Sequence, residues 1–150
     1  MLRYARVDLR SLPVPRQPKR VDNAQLLVRE FHEALALPAP ERPTLDGFPG
    51  DLRVRLIEEE AEEFREAVAR GDIVEMVDAL CDLLYVTYGA AVSLGVDLEP
   101  FFAEVHRTNM AKVGAAKRAD GKQLKPEGWE PPRIADLLAR LYQEGLERRR

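Results

Sequence analysis

The stretch that decides the fold reads LIEEEAEEF at residues 56–64, RGD at residues 70–72 and DALCDLLY at residues 78–85. Apolar residues at helical spacing lie on both sides of the RGD turn. Gly71 suits the left-handed conformation that closes a helix, and Asp72 is a good N-cap for the helix that follows. We therefore predict two long antiparallel helices joined by a tight turn at Gly71.

This hairpin concentrates negative charge. Residues 58–82 contain ten acidic and two basic side chains, a balance of −8 in a chain whose net charge is −3, so the rest of the chain is about +5. Carboxylates packed this closely repel one another unless a cation joins them. A solvated helix face is the simpler interpretation of most acidic runs, and we assign it to Glu58, Glu62 and Glu66.

Two aspartates on the third helix favour a metal site. Asp78 and Asp82 are four residues apart, so they share one face of a helix that is otherwise apolar, where unpaired carboxylates would be costly to bury. Glu60 and Asp82 are each eleven residues from Gly71, so an antiparallel hairpin places them level. All-oxygen ligation suits Mg²⁺ or Mn²⁺. The predicted metal-binding residues are Glu59, Glu60, Glu63, Asp78 and Asp82, with Glu75 either a further ligand or the capping-box partner of Asp72.

Apolar periodicity predicts an all-α bundle of about five helices, with the acidic hairpin at its centre. The third helix is apolar nearly all round, so we expect it to be buried. Residues 114–130 are basic and rich in turn residues, and Asp120-Gly121 predicts a tight turn or short hairpin. The predicted helices cover approximately residues 23–37, 51–70, 73–93, 98–112 and 134–150.

The N-terminal segment differs from the rest. Residues 1–20 hold three prolines and six basic residues against one acid, with no helical period. We predict an extended basic arm at 1–20, either solvated or packed on a neighbouring subunit, followed by one domain at 21–150. A phosphate-binding arm is the alternative.

Composition limits the classes of function. The chain has 150 residues, enough for one domain, and lacks both a signal peptide's apolar core and an apolar run near the roughly 20 residues of a membrane span. The lone Cys81 predicts a buried thiol in a cytoplasmic protein. His32 and His106 are predicted to be structural. The modest net charge argues against nucleic acid as a partner.

Together the acidic motifs resemble the all-α nucleoside triphosphate pyrophosphohydrolases, which include MazG-like, dimeric dUTPase-like and phosphoribosyl-ATP pyrophosphohydrolase-like proteins. The resemblance rests on EEAEEF at 59–64 and DALCDLLY at 78–85, and it extends from REFH at 29–32 through VHRTNMAK at 105–112 to GKQLKPEGW at 121–129. The family pattern is two adjacent glutamates, a third three residues on, and a later Glu-x-x-Asp. The later glutamate falls on Ala79 here, so either Asp78 or the alternative Glu75-x-x-Asp78 alignment replaces it.

The resemblance implies hydrolysis between the α and β phosphates of a nucleoside triphosphate, giving a monophosphate and pyrophosphate, for house-cleaning or control of the nucleotide pool. Bound Mg²⁺ would neutralise the phosphates and activate water, and Glu59 is the predicted catalytic base. The rivals are phosphoribosyl-ATP hydrolysis and a non-catalytic helical module that binds a metal or a partner protein.

The resemblance also suggests substrate-binding residues. Asn109 and Lys112 are predicted to bind phosphate, and Lys122 and Lys125 are either phosphate ligands or ordinary surface lysines. Trp129 either stacks on a base or pins its loop to the bundle. Tyr85 lines the base pocket or belongs to the core. Because a short hairpin cannot enclose a nucleotide alone, we expect a homo-oligomer, dimer or tetramer.

Overall fold

The computed structural model describes residues 23–147, with side chains as far as Leu141. Within these residues the chain forms five helices and no strand, which confirms the all-α prediction. The predicted arm at 1–20 lies outside the described residues. The helices are α1 (Ala24–Ala34), α2 (Gly50–Arg70), α3 (Ile73–Leu94), α4 (Glu99–Met110) and α5 (Ile134–Glu147).

The chain divides into two compact units, the first ending at Val96 and the second beginning at Asp97. In the first unit, α2 packs along α3 and α1 packs on α3. In the second unit, α4 packs against α5. The acidic hairpin is therefore a feature of the first unit, and the basic loop after α4 belongs to the second.

The turn of the hairpin forms as the sequence predicts. Gly71 is left-handed (φ 65°, ψ 27°) and closes α2. The Asp72 carboxylate accepts the backbone N–H groups of Val74 (3.1 Å) and Glu75 (3.3 Å), so it caps α3. The second half of the capping box does not form. The Glu75 carboxylate accepts from Arg70 instead, while the Asp72 N–H donates to the carbonyl of Ala67.

The first helix is shorter than predicted. Asn23 caps it through its side-chain oxygen, which accepts the N–H of Leu26. The helix ends at Ala34 rather than near Leu37, because Ala36 adopts a positive φ of 53° and turns the chain. A following proline disfavours helical backbone at the residue before it, so Pro38 reinforces the early end.

The prediction that α3 is buried is wrong for much of its surface. Val77, Leu80 and Leu84 are 55%, 44% and 58% exposed, and the Cys81 thiol is exposed, not buried. Neighbours on two sides cannot cover a helix that is apolar nearly all round. By length and composition alone α3 could also cross a membrane, although it packs on two helices. The buried positions of α3 are Ala79, Gly89, Ala91, Val92 and Ser93.

Candidate active site

The clearest sign of a site in the hairpin is an unsatisfied oxygen of Glu60. Its Oε2 atom is buried and has no hydrogen-bond partner among the described residues. Buried polar oxygens are nearly always hydrogen-bonded, and each exception calls for an explanation such as an ion or a catalytic role. Glu60 lies in the middle of α2, within electrostatic range of Asp78 and Asp82 on α3, and no donor from the described residues reaches its Oε2.

The described residues around Glu60 are electrostatically unfavourable to its negative charge. Burial raises the pKa of the Glu60 carboxyl, and the negative charges of neighbouring carboxylates raise it further. These neighbours come from both helices, so the hairpin does bring the two acidic segments within electrostatic range of each other. In decreasing order of effect they are Glu63, Asp82, Glu59 and Asp78.

The carboxylates do not form a closed coordination cage. In the described part of the chain, no group of three or more histidine, cysteine, aspartate or glutamate side chains converges closely enough to hold a metal ion. Like charges repel, so nothing in the chain itself draws these side chains together. The ligand set predicted from the sequence therefore stays a prediction, and its chemistry of hard oxygen donors suits Mg²⁺.

The two candidates for the missing family glutamate have different surroundings. Asp78 contributes to the raised pKa of Glu60 and has an exposed side chain. Glu75 is ion-paired with Arg70 across the Gly71 turn. A carboxylate held by an arginine is less available to a cation, so the structure favours Asp78 for the role.

A buried arginine that the sequence gave no reason to expect lies two turns before Glu60 on α2. Arg53 is 7% exposed, and burial lowers the pKa of its guanidinium. Its Nε donates to Ser93 Oγ (3.1 Å), and its Nη2 lies 3.4 Å from His32 Nε2. His32 Nδ1 lies 2.9 Å from the carbonyl of Pro38, so the proton belongs on Nδ1 and Nε2 accepts from Arg53.

This arginine explains a glycine on α3. A Cβ at Gly89 would lie 3.0 Å from Arg53 Nη1 and 3.3 Å from His32 Nε2, so a side chain there would crowd both groups. The predicted structural role of His32 agrees with this packing, since its ring is 2% exposed and hydrogen-bonded at both nitrogens. No local pattern signals such a cluster, because its members come from three different helices.

In the second unit, the sequence-predicted phosphate ligands meet at Trp129. The Lys112 ammonium lies 5.2 Å from the centroid of the indole ring, and the Lys125 ammonium lies 4.3 Å from it. The indole N–H donates to the carbonyl of Thr108 (2.8 Å), so Trp129 pins its loop to α4. Lys112 also donates to Asn109 Oδ1 (2.7 Å).

The other two predicted substrate residues are Lys122 in the second unit and Tyr85 in the first. Lys122 stands at the tip of a short hairpin, where its backbone bonds to Arg118 and Asp120; the turn predicted at Asp120-Gly121 is present. Tyr85 on α3 makes an edge-to-face contact with Phe31 of α1, with ring centroids 5.7 Å apart. Tyr85 remains 40% exposed, so this packing leaves part of its ring free.

A comparison with known protein families finds a match that includes the acidic hairpin. The sequence model of the phosphoribosyl-ATP pyrophosphohydrolase family matches residues 28–109, more than half of the chain. The chain belongs to this family. The family is a member of the MazG-like nucleoside triphosphate pyrophosphohydrolase superfamily, as the motifs predicted. No curated protein matches the chain.

The match covers the whole acidic hairpin and stops at Asn109 in α4. As a member of the phosphoribosyl-ATP pyrophosphohydrolase family, the protein is an enzyme with pyrophosphohydrolase activity on a nucleotide. This disfavours the non-catalytic module as an account of the chain. The basic loop with Lys125 and Trp129 lies beyond the matched residues.

Proposed function

We propose that the protein is a Mg²⁺-dependent pyrophosphohydrolase that cleaves nucleoside triphosphates between the α and β phosphates. The observation that carries the proposal is Glu60: its buried Oε2 has no hydrogen-bond partner among the described residues, and burial and then four neighbouring carboxylates raise its pKa. A folded chain gains nothing from this arrangement by itself. A divalent cation would satisfy the oxygen and offset the repulsion at once.

The residues fit such an ion by their chemistry. Glu60, Glu63 and Asp82, with Asp78 in preference to Glu75, would hold Mg²⁺ through carboxylate oxygens. When bound, the ion supplies charge neutralisation for the phosphates and makes a water more acidic.

The Glu59 carboxylate is the proposed catalytic base. It lies next to Glu60 on α2 and is exposed, so it can meet a water molecule directly. Its carboxylate oxygen would accept the proton of the water that attacks the α phosphorus. The products are the nucleoside monophosphate and pyrophosphate.

A second substrate is favoured by the family match itself, because the matching family is named for phosphoribosyl-ATP. Phosphoribosyl-ATP carries the same α–β phosphate linkage, so the hairpin chemistry is shared by both candidates. The two substrates differ in the group that lies beyond the triphosphate. We place nucleoside triphosphates first because the basic loop after α4 lies beyond the residues that the phosphoribosyl-ATP pyrophosphohydrolase model matches.

A substrate panel tests the proposal. Pyrophosphate release is measured with canonical and modified nucleoside triphosphates and with phosphoribosyl-ATP, each with Mg²⁺ and with excess chelator. We expect Mg²⁺-dependent release from at least one triphosphate, and we expect Glu59→Gln to lower turnover by about 100-fold or more. Glu58→Gln removes the same charge one residue earlier, on the solvated face, and serves as the control. Release from phosphoribosyl-ATP alone would select the second substrate, and metal-independent release would overturn the role of Mg²⁺.

We also propose that the protein works as a homo-oligomer whose subunits meet through the apolar surface of α1 and α3. Exposed apolar side chains on this surface include Phe31, Val77, Leu80 and Leu84. Contiguous apolar surface of this kind typically marks an interface. Leu84→Asp is expected to lower the mass in light scattering from that of an oligomer to that of one chain, whereas a monomeric parent protein would contradict the proposal.

A further inference from the structure

One buried side chain of α3 lies between two of the proposed metal ligands and carries no donor atom. Ala79 is 3% exposed, whereas Asp78 beside it and Asp82, one turn on, are both exposed. Ala79 and Glu63 are each eight residues from Gly71, so the antiparallel hairpin places them level. The buried position of α3 at the level of the acidic face of α2 therefore carries only a methyl group.

The other carboxylates of the hairpin are exposed or already paired. Glu59 and Glu63 on α2 are exposed, and Glu75 is ion-paired with Arg70. Among the described side chains, no group of three or more potential ligands is close enough to hold a metal ion. An ion at the buried oxygen of Glu60 would therefore have only exposed carboxylates as further protein ligands, and part of its coordination shell would face solvent.

The coordination chemistry of Mg²⁺ fits such a partial set of protein ligands. In proteins this ion usually keeps several waters, and one or two carboxylates hold it together with phosphate oxygens of a substrate. The acidic hairpin also repels a triphosphate that arrives without a cation. The ion and the triphosphate therefore each supply what the other one needs in order to bind.

We infer that the hairpin binds its metal ion and the triphosphate as one unit, and that Ala79 determines this behaviour. The ion alone binds weakly, because the buried position of α3 adds no carboxylate, and it binds more tightly when phosphate oxygens complete its coordination. The inference rests on the proposed function for the identity of the metal and the substrate. By thermodynamic linkage, the nucleotide strengthens metal binding by the same factor by which the metal strengthens nucleotide binding.

A pair of variants at Ala79 tests the role of this residue. Ala79→Glu adds a carboxylate, and Ala79→Gln is its matched control because the two new side chains have nearly the same size and differ in charge. Mn²⁺ is titrated calorimetrically into the full chain without nucleotide. We expect Ala79→Glu to bind Mn²⁺ more tightly than the parent by about tenfold or more, since the charge count of the ligands sets the affinity, and we expect no such gain from Ala79→Gln. Both variants enlarge a buried alanine, so the cost of overpacking is common to the two.

The parent protein provides a second test that needs no substitution. Its unfolding temperature is measured with Mg²⁺ alone, with a nucleotide analogue and chelator, and with Mg²⁺ and the analogue together. The analogue is the α,β-methylene form of the triphosphate that the substrate panel selects, whose carbon bridge is not hydrolysed. We expect the two ligands together to raise the unfolding temperature by more than the sum of their separate shifts, because each increases the affinity for the other.

Two results would overturn the inference. The first is Mn²⁺ binding by Ala79→Glu that is no tighter than that by Ala79→Gln, and the second is a pair of thermal shifts in the parent that simply add. If the substitutions prevent folding, the thermal shifts of the parent decide. Mn²⁺ binding by the variants requires no turnover, so a panel without any Mg²⁺-dependent release of pyrophosphate would count against the proposed function instead.

Discussion

Arg53 and Glu60 both carry their charge into the interior from the same face of α2, since residues seven apart in a helix lie on one face. Their surroundings differ. Arg53 is the more deeply buried, and it is hydrogen-bonded to the neutral side chains of Ser93 and His32. Glu60 is less buried, yet among the described residues one of its oxygens has no hydrogen-bond partner, and the charges that shift its pKa are all negative.

The difference separates two uses of a buried charge. Hydrogen bonds that the guanidinium donates to neutral acceptors make its burial tolerable, and they fix the packing of three helices around Gly89. Glu60 Oε2 receives no such hydrogen bond from the part of the chain that the structure describes. Judged by the depth of burial alone, Arg53 would be the candidate functional residue. Judged by which buried polar group lacks a hydrogen bond, the candidate is Glu60.

The strongest test of the comparison is Glu60→Gln, for which activity and stability should move in opposite directions. Loss of this carboxylate is expected to lower Mg²⁺-dependent turnover by at least about 100-fold. Asp82→Asn is expected to lower it by a similar factor. The free energy of unfolding of the metal-free protein should stay the same or rise, because the change relieves repulsion between carboxylates.

Glu58→Gln is the control for both measurements, since Glu58 is exposed on the same helix. Steady-state kinetics with Mg²⁺ and urea unfolding without metal give the two quantities. Full activity in Glu60→Gln would show that the active site does not lie in the hairpin.

Arg53→Ala should show the reverse behaviour. It leaves a cavity and removes the donor to Ser93 Oγ and His32 Nε2, so we expect the free energy of unfolding to fall by roughly 2–4 kcal/mol. Turnover per folded molecule should be unchanged. Arg53→Met keeps much of the volume without the charge and should recover part of the loss, since apolar replacements of buried charges are often tolerated.

The exposed Arg55, two residues on, provides the matched control as Arg55→Ala. Urea unfolding with parallel kinetics measures both properties. If Arg53→Ala kept its stability and lost its activity, the guanidinium would have to be counted with Glu60 as part of the site.

The hairpin itself can be predicted from the sequence because its signals are local. Gly71 and Asp72 adjoin the helices that they close and cap, so the backbone chemistry of two residues fixes the turn. The spacing of acids along α2 and α3 then follows from helical geometry. The Arg53 cluster could not be predicted, because its partners are 21 and 40 residues away in sequence and depend on how α1, α2 and α3 pack.

Two other errors have the same origin. Cys81 and much of α3 are exposed because burial depends on what covers a helix, and the composition of the helix does not state this. The capping-box bond predicted for Glu75 does not form, because Arg70 lies across the turn and pairs with Glu75, whereas the alternative role of Glu75 as a metal ligand stays a prediction. Which of two compatible partners a side chain takes is decided by side-chain geometry in the folded protein.

A pair of variants sharpens the assignment within α3. Asp78→Asn should weaken Mn²⁺ or Mg²⁺ binding by about tenfold or more, because it removes an anionic oxygen donor. Glu75→Gln should leave metal affinity unchanged and lower the free energy of unfolding by no more than about 1 kcal/mol, the usual range for an exposed ion pair. Calorimetric titration with each metal measures the affinities. The opposite pattern would move the site one turn toward Gly71.

The smallest expected effect concerns Glu104, a carboxylate in the second unit whose surroundings are the opposite of those of Glu60. Hydrogen bonds from the Arg107 guanidinium (both 2.8 Å) and then from the backbone N–H of Arg133 (3.0 Å) lower the pKa of the Glu104 carboxyl to about 2. A lowered pKa means that folding favours the charged form. This stabilisation is fully present above the ordinary pKa of 4.5 and is lost as the pH falls through about 2.

The two glutamates should therefore give pH profiles of opposite sign. Glu104→Gln should be less stable than the parent at pH 7, and the deficit should persist to about pH 4.5 and shrink only below it. Glu60→Gln in metal-free protein should match or exceed the parent at pH 7. Any gain should begin to shrink above pH 4.5, because the pKa of Glu60 is raised and its penalty is relieved as it takes up a proton. Unfolding midpoints in urea between pH 7 and pH 2.5 measure both profiles. A Glu104→Gln deficit that did not change with pH would show that its contribution is packing rather than charge.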